Sequence, residues 1–369
     1  MTTPHTGDGT PSDPYTTVTD QAGTLDTWFP LPLPPEQQVL SLFAAKWTIG
    51  ALKPLVELRV FDELVEGPRT AEELASATNT DPDVMWRLLR AVAATGILHE
   101  HATTPTTYTL TRLSTGLCSK TGHSIRDMFL FASDKLLWQP YDSVQHSLHT
   151  GEPAFVKDFG STFYEYTRAH PEAGDLLDRA MLQNSYPGTD TIFSTHDFGR
   201  FPVIADVGGG KGQFLAEILT RHPGSRGMLC DQPQVIADAN ETFEAAGLAD
   251  RVTLHPTDFL TAVPAGADAY FTKHTLHNWS NGHTATIVAN IRTAIGDNPN
   301  ARLLILDMLL TAPGAGFDVG KLIDIESMTI LGGQERSQAE WDEIAAKAGF
   351  APVNQPEPGN LALLEYRPV

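Results

Sequence analysis

The stretch VIADVGGGKG, residues 203–212, sets an apolar run and an acid ahead of four glycines in five positions, and a helical segment follows from Gln213. The run has the length and bounds of a buried strand, and glycine lets backbone turn tightly and approach a ligand with no Cβ in the way. Outward from it, strand and helix alternate to the C-terminus. Gln213 to Arg221 is helical, Arg226 to Cys230 is a strand, and HPTDFL closes a third strand. FTKHTLHNWSN runs from a fourth strand into a loop, and ARLLILDMLL and LALLEYRPV supply two more strands. This alternation predicts an α/β domain on a mostly parallel sheet covered on both faces, with its ligand beyond the carboxyl ends of the strands.

A glycine loop occurs in NAD enzymes as well, and Asp206 separates the readings. A dinucleotide loop holds a pyrophosphate at the helix N-terminus, where an anion just ahead of the glycines is unwelcome. An acid there suits the cationic amino acid end of S-adenosylmethionine. Asp231 ends the next strand, 19 residues past Gly212, where it can accept hydrogen bonds from ribose hydroxyls. Asp258 ends the third strand, placed to accept from an adenine amino group, with Phe259 as an apolar cover for the ring.

The fourth strand delivers Lys273, His274, His277, Asn278 and Trp279 to one loop. An imidazole at a strand end suits general base chemistry. His274 and His277 could instead be metal ligands. Three residues apart on an extended segment, and with no convincing third ligand in the sequence, they give no expectation of a metal site.

Upstream the texture differs. Residues 1–35 are rich in Thr, Pro, Gly and Asp and read as a disordered tail. From Glu36, apolar residues recur at helical spacing over more than one face (Val39, Leu40, Leu42, Phe43, Trp47, Leu52, Leu55, Val56), which predicts burial against a second copy of the chain. Thr70 with Glu73 forms a capping box, Asp81 with Pro82 a helix start, and 97–100 and 108–110 two short strands. Helix, helix, strand, strand is a winged-helix pattern, and residues 36–120 are expected to form a winged-helix dimerisation domain. Residues 121–190 read as a helical linker that contributes the substrate pocket, and 191–369 as the catalytic domain. Rings and thioethers suit a flat apolar ligand, and the candidate pocket residues are Phe129, Trp138, Met181, Asn278 and Met328.

Composition limits the alternatives. Lys+Arg 25 against Asp+Glu 45 gives a net charge of −20, which repels nucleic acid and anionic lipid. A ligand-sensing DNA-binding protein is therefore the weaker reading of the winged helix, whose second helix offers only Arg87 and Arg90 as cations. The two cysteines, Cys118 and Cys230, imply neither a disulfide framework nor a thiolate metal site. No uninterrupted apolar run of transmembrane length occurs, and the N-terminus has no signal-peptide pattern, so a cytoplasmic protein is expected.

DVGGGKG, Asp231 in CDQPQV, TDF, KHTLHNWS and GGQERS, in this order, resemble the plant-type and bacterial small-molecule O-methyltransferases. The resemblance covers nearly everything after the tail. It implies a seven-stranded class I methyltransferase domain, a homodimer, S-adenosylmethionine as cofactor and a small aromatic acceptor of secondary metabolism. It further implies that Gly208, Gly210, Asp231, Asp258, Phe259 and Lys273 line the cofactor site, beside Asp206. His277 would be the base, oriented by Asp307 and Glu335. Two positions depart from the family pattern: Asp307 is one methylene shorter than the glutamate often found there, and Asn278 replaces the usual aspartate and should make His277 less basic. Transfer to carbon or nitrogen, or a repurposed site, is the alternative on the same fold.

Overall fold

The computed structural model describes residues 39–184, 189–314 and 316–369, so the expected tail lies outside the described residues. The chain divides into two units, one formed by the residues up to 138 with 170–185, the other by 139–169 with 186–369. The helical stretch 121–190 is thus shared between them rather than standing apart.

In the first unit the helix Leu42–Glu57 buries Leu52, Leu55 and Val56. Thr70 caps the helix Ala71–Thr78 through a reciprocal box, its hydroxyl accepting from the Glu73 amide at 3.2 Å while Glu73 accepts from the Thr70 amide at 2.8 Å. Asp81 caps Pro82–Ala93 by accepting from the Val84 amide at 2.9 Å. Strands β1 (Arg69–Thr70), β2 (Leu98–His101) and β3 (Thr107–Leu110) pair antiparallel in the order β1-β3-β2, so the sequence's helix, helix, strand, strand order gains one short strand. The outer face of Leu42–Glu57 keeps Leu42 67% and Trp47 69% exposed. By length and mean hydropathy the stretch Val39–Glu57 could cross a bilayer, with 28% of its most apolar window buried, although no uninterrupted apolar run marks it. A face this apolar requires a cover.

The second unit holds β4 (Val203–Val207), β5 (Arg226–Asp231), β6 (Val252–Pro256), β7 (Ala269–Lys273), β8 (Arg302–Leu310), β9 (Arg336–Ser337), β10 (Phe350–Pro352) and β11 (Gly359–Pro368). The sheet order is β10-β11-β8-β7-β4-β5-β6, seven strands, with the two-residue β9 added parallel to β8. Strands β4 to β8 pair parallel with one another, whereas β11 pairs antiparallel with both β8 and β10. Leu303, Leu304, Ile305 and Leu306 of β8 are all fully buried, as expected of a strand with both faces covered. Two apolar cores, one on each face, hold the sheet. Both cysteines are free and buried.

Candidate active site

The glycine loop leaves β4 and meets the end of β5. The Gly208 amide donates to the Cys230 carbonyl at 2.7 Å, and Gly210 donates to Asp231 Oδ2 at 2.8 Å. Gly208 has φ +78°, and a Cβ there would collide with Thr275; one on Gly209 would collide with the Asp206 carboxylate. Glycine is therefore required at 208 by conformation and at 209 by space.

Asp206 is 1% exposed and its Oδ1 has no hydrogen-bond partner among the described residues. Burial holds its carboxyl well above the ordinary range, the charge of Asp231 adds to this, and Lys273 opposes it. Burial also raises Asp231, against the two amide bonds it accepts from Gly210 and Gln232. Lys273, at the end of β7, is lowered by burial while Asp206, Asp307 and Glu217 pull it back. A buried carboxylate oxygen with no donor, beside a second carboxylate, fits a ligand that brings positive charge. Asp258 is exposed and accepts from the Leu260 amide and the Thr261 hydroxyl, both at 3.0 Å. Phe259 is buried, its ring near-perpendicular to that of Trp279 with centroids 6.0 Å apart.

The base loop leaves β7, next to β4. His274 takes φ +48°, an uncommon conformation for a residue with a side chain, and Leu276–Asn278 closes into a turn of 3₁₀ helix. Thr275 ties the two loops, donating to the Gly208 and Lys273 carbonyls at 3.2 and 3.1 Å. His277 Nδ1 lies 2.6 Å from Glu335 Oε1 and 3.6 Å from Asp307 Oδ1. Glu335 therefore makes the hydrogen bond. Asp307, one methylene short, acts by charge and lies nearer to His274 Nδ1, at 3.4 Å.

Burial alone would lower the His277 pKa, but Asp307 and Glu335 outweigh it and raise the imidazole to about 9. Asp307 is in turn lowered, because His277 and His274 outweigh its burial.

Pairing of β9 with β8 explains how Glu335 arrives: Leu309 aligns with Arg336, so the turn before β9 runs beside Asp307. The Glu335 amide donates to Asp324 Oδ1 at 2.7 Å, and Ser327 Oγ donates to Glu335 Oε1 at 3.2 Å. Gln334 donates its amide to the His277 carbonyl at 2.8 Å, and a Cβ on Gly333 would strike that same carbonyl.

His274, His277 and Asp307 each place one possible ligand atom within 4.8 Å of the others, supplying the third donor that the sequence did not reveal. His277 Nδ1 is nonetheless committed to Glu335. Of the expected pocket residues, Phe129, Trp138 and Met181 belong to the first unit and Asn278 and Met328 to the second. Asn278 donates to the His274 carbonyl at 3.2 Å, and Met328 is half-buried in a π-helical turn, Ser327–Leu331.

Sequence reasoning missed Thr275, Asp324, Ser327, Arg336 and Tyr164. Tyr164, bonded to Asn278 and 39% exposed, has its phenol raised by the apolar surroundings of the ring and then by the charge of Asp231, with the Asn278 bond opposing. For Arg336 and Ser327 the available signal was adjacency to GGQE and to the apolar run before it.

A family model described as an O-methyltransferase domain matches residues 141–351, and one described as an O-methyltransferase dimerisation domain matches 40–120. The chain is 35% identical to the 8-amino-8-demethylriboflavin N,N-dimethyltransferase of Streptomyces davaonensis over 86% of its length and 90% of that protein. The solved structure of a mitomycin 7-O-methyltransferase matches with TM-score 0.82 and 31% identity, covering 90% of this chain and 98% of that one. An O-methyltransferase from neocarzinostatin biosynthesis, solved with S-adenosylmethionine and 2-hydroxy-5-methyl naphthoic acid, matches with TM-score 0.72 and 28% identity over 87% and 96% of the two chains.

Proposed function

We propose, from the premise that this chain belongs to the O-methyltransferase family, that it methylates a hydroxyl on a small aromatic metabolite with His277 as general base. S-adenosylmethionine, when bound, supplies the methyl group on a positively charged sulfur. Asp206, Gly208, Gly210, Asp231, Asp258, Phe259 and Lys273 would hold it, and the unpartnered Asp206 oxygen fits its ammonium.

The observation that carries the reading is the 2.6 Å contact between His277 Nδ1 and Glu335. It engages Nδ1 and leaves Nε2 to take the acceptor's proton. A base of pKa about 9 is closely matched to a phenol of pKa near 10, so the transfer runs little uphill. Asp307 and Glu335 stabilise the imidazolium that results.

Transfer of labelled methyl to a panel of phenols, catechols and aryl amines, with wild type beside His277→Ala, tests this. Labelled ether that falls by roughly a hundredfold or more in the variant, with S-adenosylhomocysteine affinity unchanged, is expected. Ether formation indifferent to the variant overturns the base. A second reading, N-methylation, is favoured by the 35% identity to a dimethyltransferase of an amino-substituted acceptor; label on nitrogen would select it.

The exposed face of Leu42–Glu57, within the stretch that matches the dimerisation domain, supports a homodimer. Trp47→Glu should convert a sedimenting dimer to monomer, and a dimer that survives at micromolar concentration would place the interface elsewhere.

A further inference from the structure

Arg336 is fully buried, yet no carboxylate is among its hydrogen-bond partners within the described residues. Nε donates to Asn281 Oδ1 at 2.9 Å. Nη1 donates to the Gln334 carbonyl at 2.9 Å and the Leu276 carbonyl at 3.3 Å, and Nη2 to the Trp279 carbonyl at 2.8 Å and Thr284 Oγ1 at 3.1 Å. The guanidinium also lies 4.9 Å from the Trp341 ring centre. Burying a cation against neutral acceptors alone is costly, and a neutral side chain would fill the space more cheaply. The compensation comes from carboxylates that act on it electrostatically without bonding to it: Asp307, Glu335, Glu340 and Asp324. Two of these four are the carboxylates beside His277.

We propose that Arg336 is a positioning residue for the base, clamping the carbonyls of Leu276 and Trp279 on either side of His277 and offsetting the charge of Asp307 and Glu335. With the Gln334 amide on the His277 carbonyl, the segment 334–336 holds three of the four carbonyls from 276 to 279. The planar fork suits this task because its donors diverge in fixed directions, which a lysine ammonium cannot reproduce. The charge has a separate effect. The groups that act on the His277 ring are Asp307, Glu335 and the neighbouring His274, and Arg336 tempers the first two. Without it, His277 would hold its proton more tightly and be a base over a narrower range of pH.

The proposal rests on His277 being the base, and the test separates the two. Full-length Arg336→Met and Arg336→Lys are compared with wild type by NMR titration of 15N-labelled histidine, by S-adenosylhomocysteine binding, and by the pH profile of methyl transfer. In the Met variant the His277 midpoint should rise by about one pH unit. Its plateau rate should fall at least roughly tenfold with cofactor affinity within about twofold, since geometry at the reacting atoms is lost while the glycine loop is intact. The Lys variant should keep the midpoint and still lose rate. Folded variants with wild-type midpoint and rate overturn the proposal. A shifted midpoint with an unchanged rate supports the electrostatic coupling and overturns His277 as the base. Should the Met variant not fold, Thr284→Val removes one Arg336 acceptor together with the threonine's own bonds to the Leu276 and Trp279 carbonyls. It should lower the rate about threefold or more at an unchanged midpoint, and an unchanged rate there overturns the clamp.

Discussion

The glycine loop and the base loop leave adjacent strands, β4 and β7, and Thr275 joins them, yet they are built in opposite ways. The first is local: a strand, a run of glycines and an aspartate at the end of the next strand, held by backbone amides. The second is assembled from Lys273–Asn278, from Asp307 in the middle of β8, and from the turn 332–336 brought in by a two-residue strand. The difference teaches that the glycine loop is shaped by the absence of side chains, whereas the proposed catalytic centre is shaped by carboxylates distant in sequence meeting one imidazole.

The contrast can be broken with two glycines. Gly208→Val, at φ +78° and against Thr275, should weaken S-adenosylhomocysteine binding by about a hundredfold or more. Gly333→Ala drives a methyl into the His277 carbonyl; it should leave that affinity within a few fold and lower kcat by a comparable factor. Calorimetry and methyl transfer on both variants decide it. If both lose affinity alike, the two loops form one cooperative unit rather than two devices.

A smaller effect comes from pH. His277 is raised to about 9, so below that value it is protonated and cannot act as base. Methyl transfer at subsaturating acceptor should therefore rise with pH and flatten near 9. Asp307→Asn removes a charge that favours the imidazolium, and the rising limb should move down by about one unit. A limb that stays in place would assign the whole effect to Glu335. The smallest change expected is from Asn278→Asp, which adds a carboxylate beside the base and should move the limb up by less than about one unit. The same pH profile, measured with and without the substitution, reads it.

Much of the glycine-loop side was legible because it is written in consecutive residues. Asp231 ends β5 as its position past the loop implied, and the capping box of Ala71–Thr78 and the start of Pro82–Ala93 follow from short local patterns. Asp307 and Glu335 were named only through family resemblance. The sequence showed neither that Glu335 makes the bond and Asp307 acts by charge, nor that His274 folds onto Asp307 through a left-handed backbone. Arg336 stood in the GGQERS run without a legible role, because a buried cation bonded to carbonyls leaves no periodicity.

By itself, then, the sequence determined the strand and helix alternation, the glycine loop and the apolar faces, since all of these arise from interactions between residues close in the chain. Only the tertiary structure decided which carboxylate touches the base, how strongly the base holds its proton and what clamps its loop. Those properties depend on burial and on distances between segments as far as 60 residues apart, as for Arg336 and Leu276, and they set Glu335 at 2.6 Å and Asp307 at 3.6 Å from the same ring nitrogen.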